Sequence, residues 1–121
     1  MTERKTVLIV DDDPQILRLV KTMLGARKVN LLMAPRPSAA LRICEEQEVH
    51  LLIADLALPE MDGDKLAERI LKLRPGASVL LISGYYKGAP ATARLGQVRF
   101  LKKPFFPSEL IGHLRELLPE A

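Results

Sequence analysis

Leu51-Leu52-Ile53-Ala54 is a run of four apolar residues that ends abruptly in Asp55. Such a run reads as a strand buried on both faces, the form a parallel strand takes inside an α/β sheet whose helices cover it above and below. The pattern recurs along the chain. Val7 to Val10 runs into Asp11-Asp12-Asp13, Val79 to Ile82 into Ser83-Gly84, and Val98 to Leu101 into Lys102-Lys103-Pro104. Carboxylates, a hydroxyl and an ammonium therefore all fall where strands stop. They share the carboxyl edge of one sheet, where open α/β sheets bind their ligands.

The intervening segments carry helical spacing. Asp13 suits an N-cap and Pro14 the first helical position, and Ile16, Leu17, Val20, Met23 and Leu24 then line one helix face. A second strand, Asn30 to Ala34, is less regular, and Ser38 is expected to cap a short second helix with Leu41 and Cys44 on one face. Asp62 is placed to cap a third helix with Leu66, Ile70 and Leu73 inward, ending at Arg74-Pro75-Gly76. A fourth helix is expected to begin near Pro90, shortened by Gly88 and Gly96. Pro107 opens the last helix, with Leu110, Ile111, Leu114, Leu117 and Leu118 along its apolar face. Strand and helix thus alternate five times over residues 1–121, which predicts a single domain with a doubly wound (βα)5 parallel sheet.

Composition narrows the function classes. The net charge is +3, but Lys and Arg are scattered and no basic run exceeds two residues, so no direct nucleic-acid binding by this chain is expected. The longest apolar runs are far short of a membrane span, so no membrane partner is expected and the chain reads as cytoplasmic. Cys44 is the sole cysteine and reads as a helix core residue. His50 and His113 have no partner at ligand spacing and read as surface residues, and Met33 and Met61 as packing residues.

The strand order 2-1-3-4-5 of flavodoxin-like sheets sets strands one and three side by side, with Asp11 and Asp12 facing Asp55. Carboxylates so close repel by about 3–4 kcal/mol per pair at an effective dielectric near 20. A hard cation with oxygen ligands relieves this, and Mg²⁺ fits. With Lys103 and Ser83 added, the edge becomes a pocket for a phosphoryl group in which Asp55 can act as nucleophile.

These motifs, Asp11-Asp12, the stretch from Asp55 to Gly63 with its Pro59-Glu60-Met61-Asp62, Ser83-Gly84 and Lys103-Pro104-Phe105, resemble the response-regulator receiver domain, the phosphoacceptor module of two-component signalling. The resemblance covers essentially the whole chain. It implies that Asp55 accepts a phosphoryl group from a histidine kinase or phosphotransfer protein. Mg²⁺ would be held by Asp12, Asp55 and the Ala57 carbonyl, with Asp11 acting through a water. By the same resemblance Ser83 and Lys103 hold the phosphoryl oxygens, Ser83 and Phe100 form the switch, and Pro104 follows a cis peptide bond. Ala57 and Tyr85 fall at positions that tune hydrolysis of the phosphoryl group. Such a protein is a signalling phosphoacceptor rather than a metabolic enzyme, catalysing only its own phosphorylation and dephosphorylation. The phosphoryl group would switch a protein-interaction face formed by the fourth helix, fifth strand and last helix. An unknown output partner would use that face, which also allows a homodimer.

The chain departs from the family in places. Phe106 stands where a polar cap is usual, and Ser83 and Lys103 are separated by only nineteen residues. Two other classes compete. Asp11-Asp12-Asp13 matches the Asp-x-Asp core of haloacid-dehalogenase-like phosphatases, though Gln15 stands where Thr or Val is usual. A flavin-binding module is opposed by the acidic strand ends. No effector domain follows Ala121, so the chain reads as a stand-alone receiver or a piece cut from a longer protein.

Overall fold

The computed structural model describes residues 4–25, 27–84 and 97–119. They form strands β1 (Lys5–Val10), β2 (Val29–Ala34), β3 (Leu51–Asp55), β4 (Ser78–Ser83) and β5 (Val98–Lys102), with helices α1 (Pro14–Leu24), α2 (Pro37–Glu46), α3 (Gly63–Leu73) and α4 (Pro107–Leu117). The sheet is parallel throughout, in the order β2-β1-β3-β4-β5. The helix expected near Pro90, and Tyr85 with it, lie outside the described residues.

Alternation along the strands divides the core into two layers, because successive side chains leave opposite faces. Leu8, Val10, Leu52, Ala54, Val79 and Leu81 pack with Ala40 and Cys44 of α2 and Leu66, Ala67 and Ile70 of α3. Val7, Ile9, Leu51, Ile53, Leu80 and Ile82 pack on the other face with Val20 and Leu24 of α1 and Leu110 and Leu114 of α4. The continuous apolar runs of β1, β3 and β4 are thus the sequence image of strands covered twice.

Four local expectations are corrected. Ser38 is not the cap of α2: Pro37 takes the first turn, so the N-cap falls on Arg36, whose side chain makes no capping bond. Leu73 is 41% exposed, because the buried stripe of α3 runs through Leu66, Ala67, Ile70 and Leu71 before the helix ends. Met33 is 43% exposed, since β2 is an edge strand paired only with β1. His50 is not a free surface residue. Its Nδ1 accepts the Thr6 backbone N–H at 2.9 Å and its Nε2 lies 2.7 Å from Glu48, which ties the start of β1 to the start of β3.

Parallel register brings the expected residues level. Val10 pairs with Ala54, so Asp11 and Asp55 leave adjacent strands at the same height. Asp55 pairs with Ile82 and Ser83 with Lys102, which carries Lys103 one residue past β5 beside the same edge.

Candidate functional site

The carboxyl edge of β3, β4 and β5 opens into a cleft of about 560 Å³. Asp55, Ala57, Ser83 and Lys103 line it, together with Asp62 and Asp64 from the start of α3. Carboxylate oxygens of Asp11, Asp12 and Asp55 lie within 4.8 Å of one another.

Each acid is held differently. Asp11 is 1% exposed. Its Oδ1 accepts the Asp13 N–H at 2.8 Å, while its buried Oδ2 has no hydrogen-bond partner among the described residues. Asp12 is exposed, and Asp13 caps α1 by accepting the Gln15 N–H at 2.9 Å, as expected. Asp55 accepts the Ala57 N–H at 3.0 Å on Oδ1 and the Lys103 ammonium at 2.8 Å on Oδ2. That pairing leaves the Ala57 carbonyl in the loop immediately beyond the acid.

Lys103 stands between two acids, 2.8 Å from Asp55 and 3.6 Å from Asp11. Burial works against its charge, but the hydrogen bond it donates to Asp55 and the charges of both acids outweigh it, so its pKa is raised. Lys102, the alternative, is exposed, as the alternation of strand residues requires. Burial likewise dominates at Asp11 and raises its pKa, with Asp55 and Asp12 adding to the effect while the Asp13 N–H and Lys103 oppose it. A buried carboxylate oxygen without a hydrogen-bond donor, in a group of three acids faced by the single ammonium of Lys103, leaves the site with more negative than positive charge. Hard oxygen donors in this number suit Mg²⁺, so the residues present fit the cation that the family pattern implies.

The supporting loop is closely packed. A Cβ on Gly63 would lie 2.2 Å from the Asp55 carbonyl oxygen, so the loop closes onto the strand only with glycine there. Gly63 N–H bonds the Leu56 carbonyl at 2.8 Å and Leu56 N–H the Ile82 carbonyl at 2.9 Å. Asp62 occupies the N-cap of α3 without capping it through its side chain. Ser83 is buried, and with Phe100 it lines a second cavity of about 230 Å³ on the side of β4 and β5. The Lys103–Pro104 bond is cis, as expected. Phe106 is 74% exposed and has no capping side chain; Glu109 instead accepts its backbone N–H at 2.9 Å.

Three contacts were not legible. Glu60 binds Ser38 across 22 residues, Arg74 Nε donates to the Cys44 carbonyl at 3.0 Å, and His50 bridges strand starts. None has a spacing signal, because each joins residues distant in the chain.

Known proteins agree with this geometry. The family model described as the response regulator receiver domain matches residues 7–115. The transcriptional regulatory protein GlrR of Escherichia coli strain K12 is 35% identical over 95% of the chain, which spans only 26% of that relative's length. The sensor kinase CckA of Brucella abortus is 33% identical over 93% of the chain, which spans 12% of that protein. Among solved structures, a CheY-like response regulator receiver domain protein from Methanospirillum hungatei is 31% identical with a TM-score of 0.86, covering 97% of this chain and 95% of that one. The receiver domain of the hybrid histidine kinase CckA is 30% identical with a TM-score of 0.78, covering 93% of this chain and 98% of that one. With its order 2-1-3-4-5, its acidic strand ends and a family match over nearly its whole length, this chain belongs to the response regulator receiver domains, the phosphoacceptor modules of two-component systems.

Proposed function

We propose that Asp55 is the phosphoacceptor of this receiver and that Asp11, Asp12, Asp55 and the Ala57 carbonyl hold Mg²⁺ beside it. The observation that carries this reading is the buried Asp11 oxygen without a donor, in a group of three acids faced by Lys103. A bound Mg²⁺ supplies positive charge that keeps the acids ionised together and offsets charge on phosphoryl oxygens.

The chain's own groups then divide the work. An Asp55 carboxylate oxygen attacks the phosphorus of a phosphohistidine. The new P–O bond forms as the P–N bond breaks, and the imidazole leaves with a proton from solvent. The Ala57 N–H holds Oδ1 and so fixes which way the carboxylate faces. Lys103, already at Asp55 Oδ2, is the cation that transfers its hydrogen bond to the incoming phosphoryl oxygens. Ser83, at the end of β4, supplies a hydroxyl to the same group. Phosphorylation changes the local charge by up to about two units, and drawing Ser83 inward draws the Phe100 ring after it.

The remaining parts of the reading follow from family membership. The phosphodonor is a histidine kinase or phosphotransfer protein, consistent with a sensor kinase among the relatives. Residues 1–121 act as one receiver domain in the cytoplasm, and its activity is limited to its own phosphorylation and dephosphorylation. Among the described residues no helix is long and apolar enough to cross a membrane. The output partner, or a homodimer, would use the face that includes β5 and α4.

Incubation with acetyl phosphate and Mg²⁺, read by intact mass, tests the assignment. Wild type should gain one phosphoryl group and Asp55→Asn none. A phosphoprotein that survives in Asp55→Asn but is lost in Asp11→Asn would transfer the acceptor role to Asp11 and refute it.

A further inference from the structure

Glu60 lies at the tip of the loop between β3 and α3 and has a left-handed backbone, φ 69°. An L-residue keeps that conformation only where its surroundings over-determine it. Its surroundings are Ser38. Glu60 Oε1 accepts the Ser38 backbone N–H at 2.9 Å and Oε2 the Ser38 hydroxyl at 3.0 Å.

Ser38 is the second residue of α2, a helix with no side-chain cap of its own and no acid in its first turn. The carboxylate from another loop therefore satisfies one of the orphan N–H groups at the positive end of α2. The contact also acts on the loop. Its two ends are tied by Leu56 N–H to the Ile82 carbonyl and by Gly63 N–H to the Leu56 carbonyl. Ala57 lies between the tied end at Leu56 and the tip at Glu60, so the tip's anchor restricts the peptide that carries its carbonyl.

We propose that Glu60 is a positioning residue for the cation site, fixing the Ala57 carbonyl by clamping the loop tip to α2. The inference rests on the reading of Asp11, Asp12, Asp55 and Ala57 as that site. Glu60 itself touches neither cation nor phosphoryl group; it acts through the loop. It also ties α2 to the occupancy of the site, so cation binding should stiffen the first turn of α2.

The test is a Mg²⁺ titration of the full chain followed by ¹H–¹⁵N amide shifts, far below the melting temperature. Glu60→Gly removes the carboxylate while relieving the left-handed backbone, so its melting temperature should stay near that of wild type. Its Mg²⁺ Kd should nevertheless rise about fivefold, on the order of the net worth of one hydrogen bond. Glu60→Gln, which keeps one acceptor and perturbs the backbone least, should fall between the two. In Glu60→Gly the Ala57 amide should also shift before any Mg²⁺ is added. A Kd in both variants equal to that of wild type overturns the proposal, whether or not melting changes. Wild-type Mg²⁺ affinity in Asp55→Asn would instead overturn the cation-site reading beneath it.

Discussion

Asp11→Asn should stabilise the metal-free protein. The carboxylate it removes is 1% exposed and has one oxygen without a hydrogen-bond partner among the described residues. At an effective dielectric near 20, charges at the 4.8 Å bound on this cluster repel by about 3–4 kcal/mol, and Asp11 faces two of them. Lys103 at 3.6 Å returns about 4–5 kcal/mol on the same scale. The residue is a net repulsion of a few kcal/mol, reduced because Asp12 is exposed to water. Asn keeps the Oδ1 that accepts the Asp13 N–H, so the turn should survive. We expect a gain of about 2 kcal/mol, or a melting temperature higher by about 5–10 °C without metal.

The pH dependence has a definite sign. Because its folded pKa is raised, Asp11 opposes folding above that raised value, and the penalty is lost as pH falls through it toward the ordinary carboxylate range. Asp11→Asn should therefore remove a gain in stability on mild acidification that metal-free wild type shows. In excess Mg²⁺ the order should narrow or reverse, since a ligand bound to the native state stabilises wild type more. Thermal melts of both proteins in chelator and in Mg²⁺, across that pH range, measure all of this. A metal-free Asp11→Asn protein that melts below wild type would refute the electrostatic argument.

Three further outcomes are expected. Gly63→Ala should cost about 2–4 kcal/mol in denaturant unfolding, because the new Cβ meets the Asp55 carbonyl at 2.2 Å and backbone must move; an unchanged midpoint would show that the loop has slack. The Cys44 thiol, buried and with its pKa pushed up by that burial to about 11, should resist iodoacetamide at mildly alkaline pH until denaturant is added; fast native labelling would contradict the burial. Phe106→Ser should stabilise α4 by about 1 kcal/mol, since an exposed ring is exchanged for a hydroxyl able to cap the Glu109 N–H; a lower melting temperature would mean that the ring packs in solution.

Much of this protein was legible along the chain because its physics is local. Runs such as Leu51 to Ala54 carry no alternation, and only strands covered on both faces tolerate that, so the parallel sheet could be inferred before any coordinate. Asp13 and Pro14, as cap and first turn of α1, act within two residues and were read correctly. The placement of Asp11, Asp55, Ser83 and Lys103 was legible too, because each stands at or just past a strand end and a parallel sheet gathers all such ends on one edge. The failures lie where a competing neighbour decides. Pro37 displaced the cap from Ser38, and a slightly rotated stripe exposed Leu73.

Tertiary structure alone decided the pairings. Nothing in the spacing of Glu60 and Ser38, Arg74 and Cys44, or His50 and Thr6 predicts contact, since the partners stand 22, 30 and 44 residues apart. It also decided which oxygen of Asp11 lacks a donor. Apolar patterning selects a fold because burial is summed over many residues and needs no exact geometry. Hydrogen bonds and charge pairs depend on a few ångströms, and those distances exist only once the layers have packed.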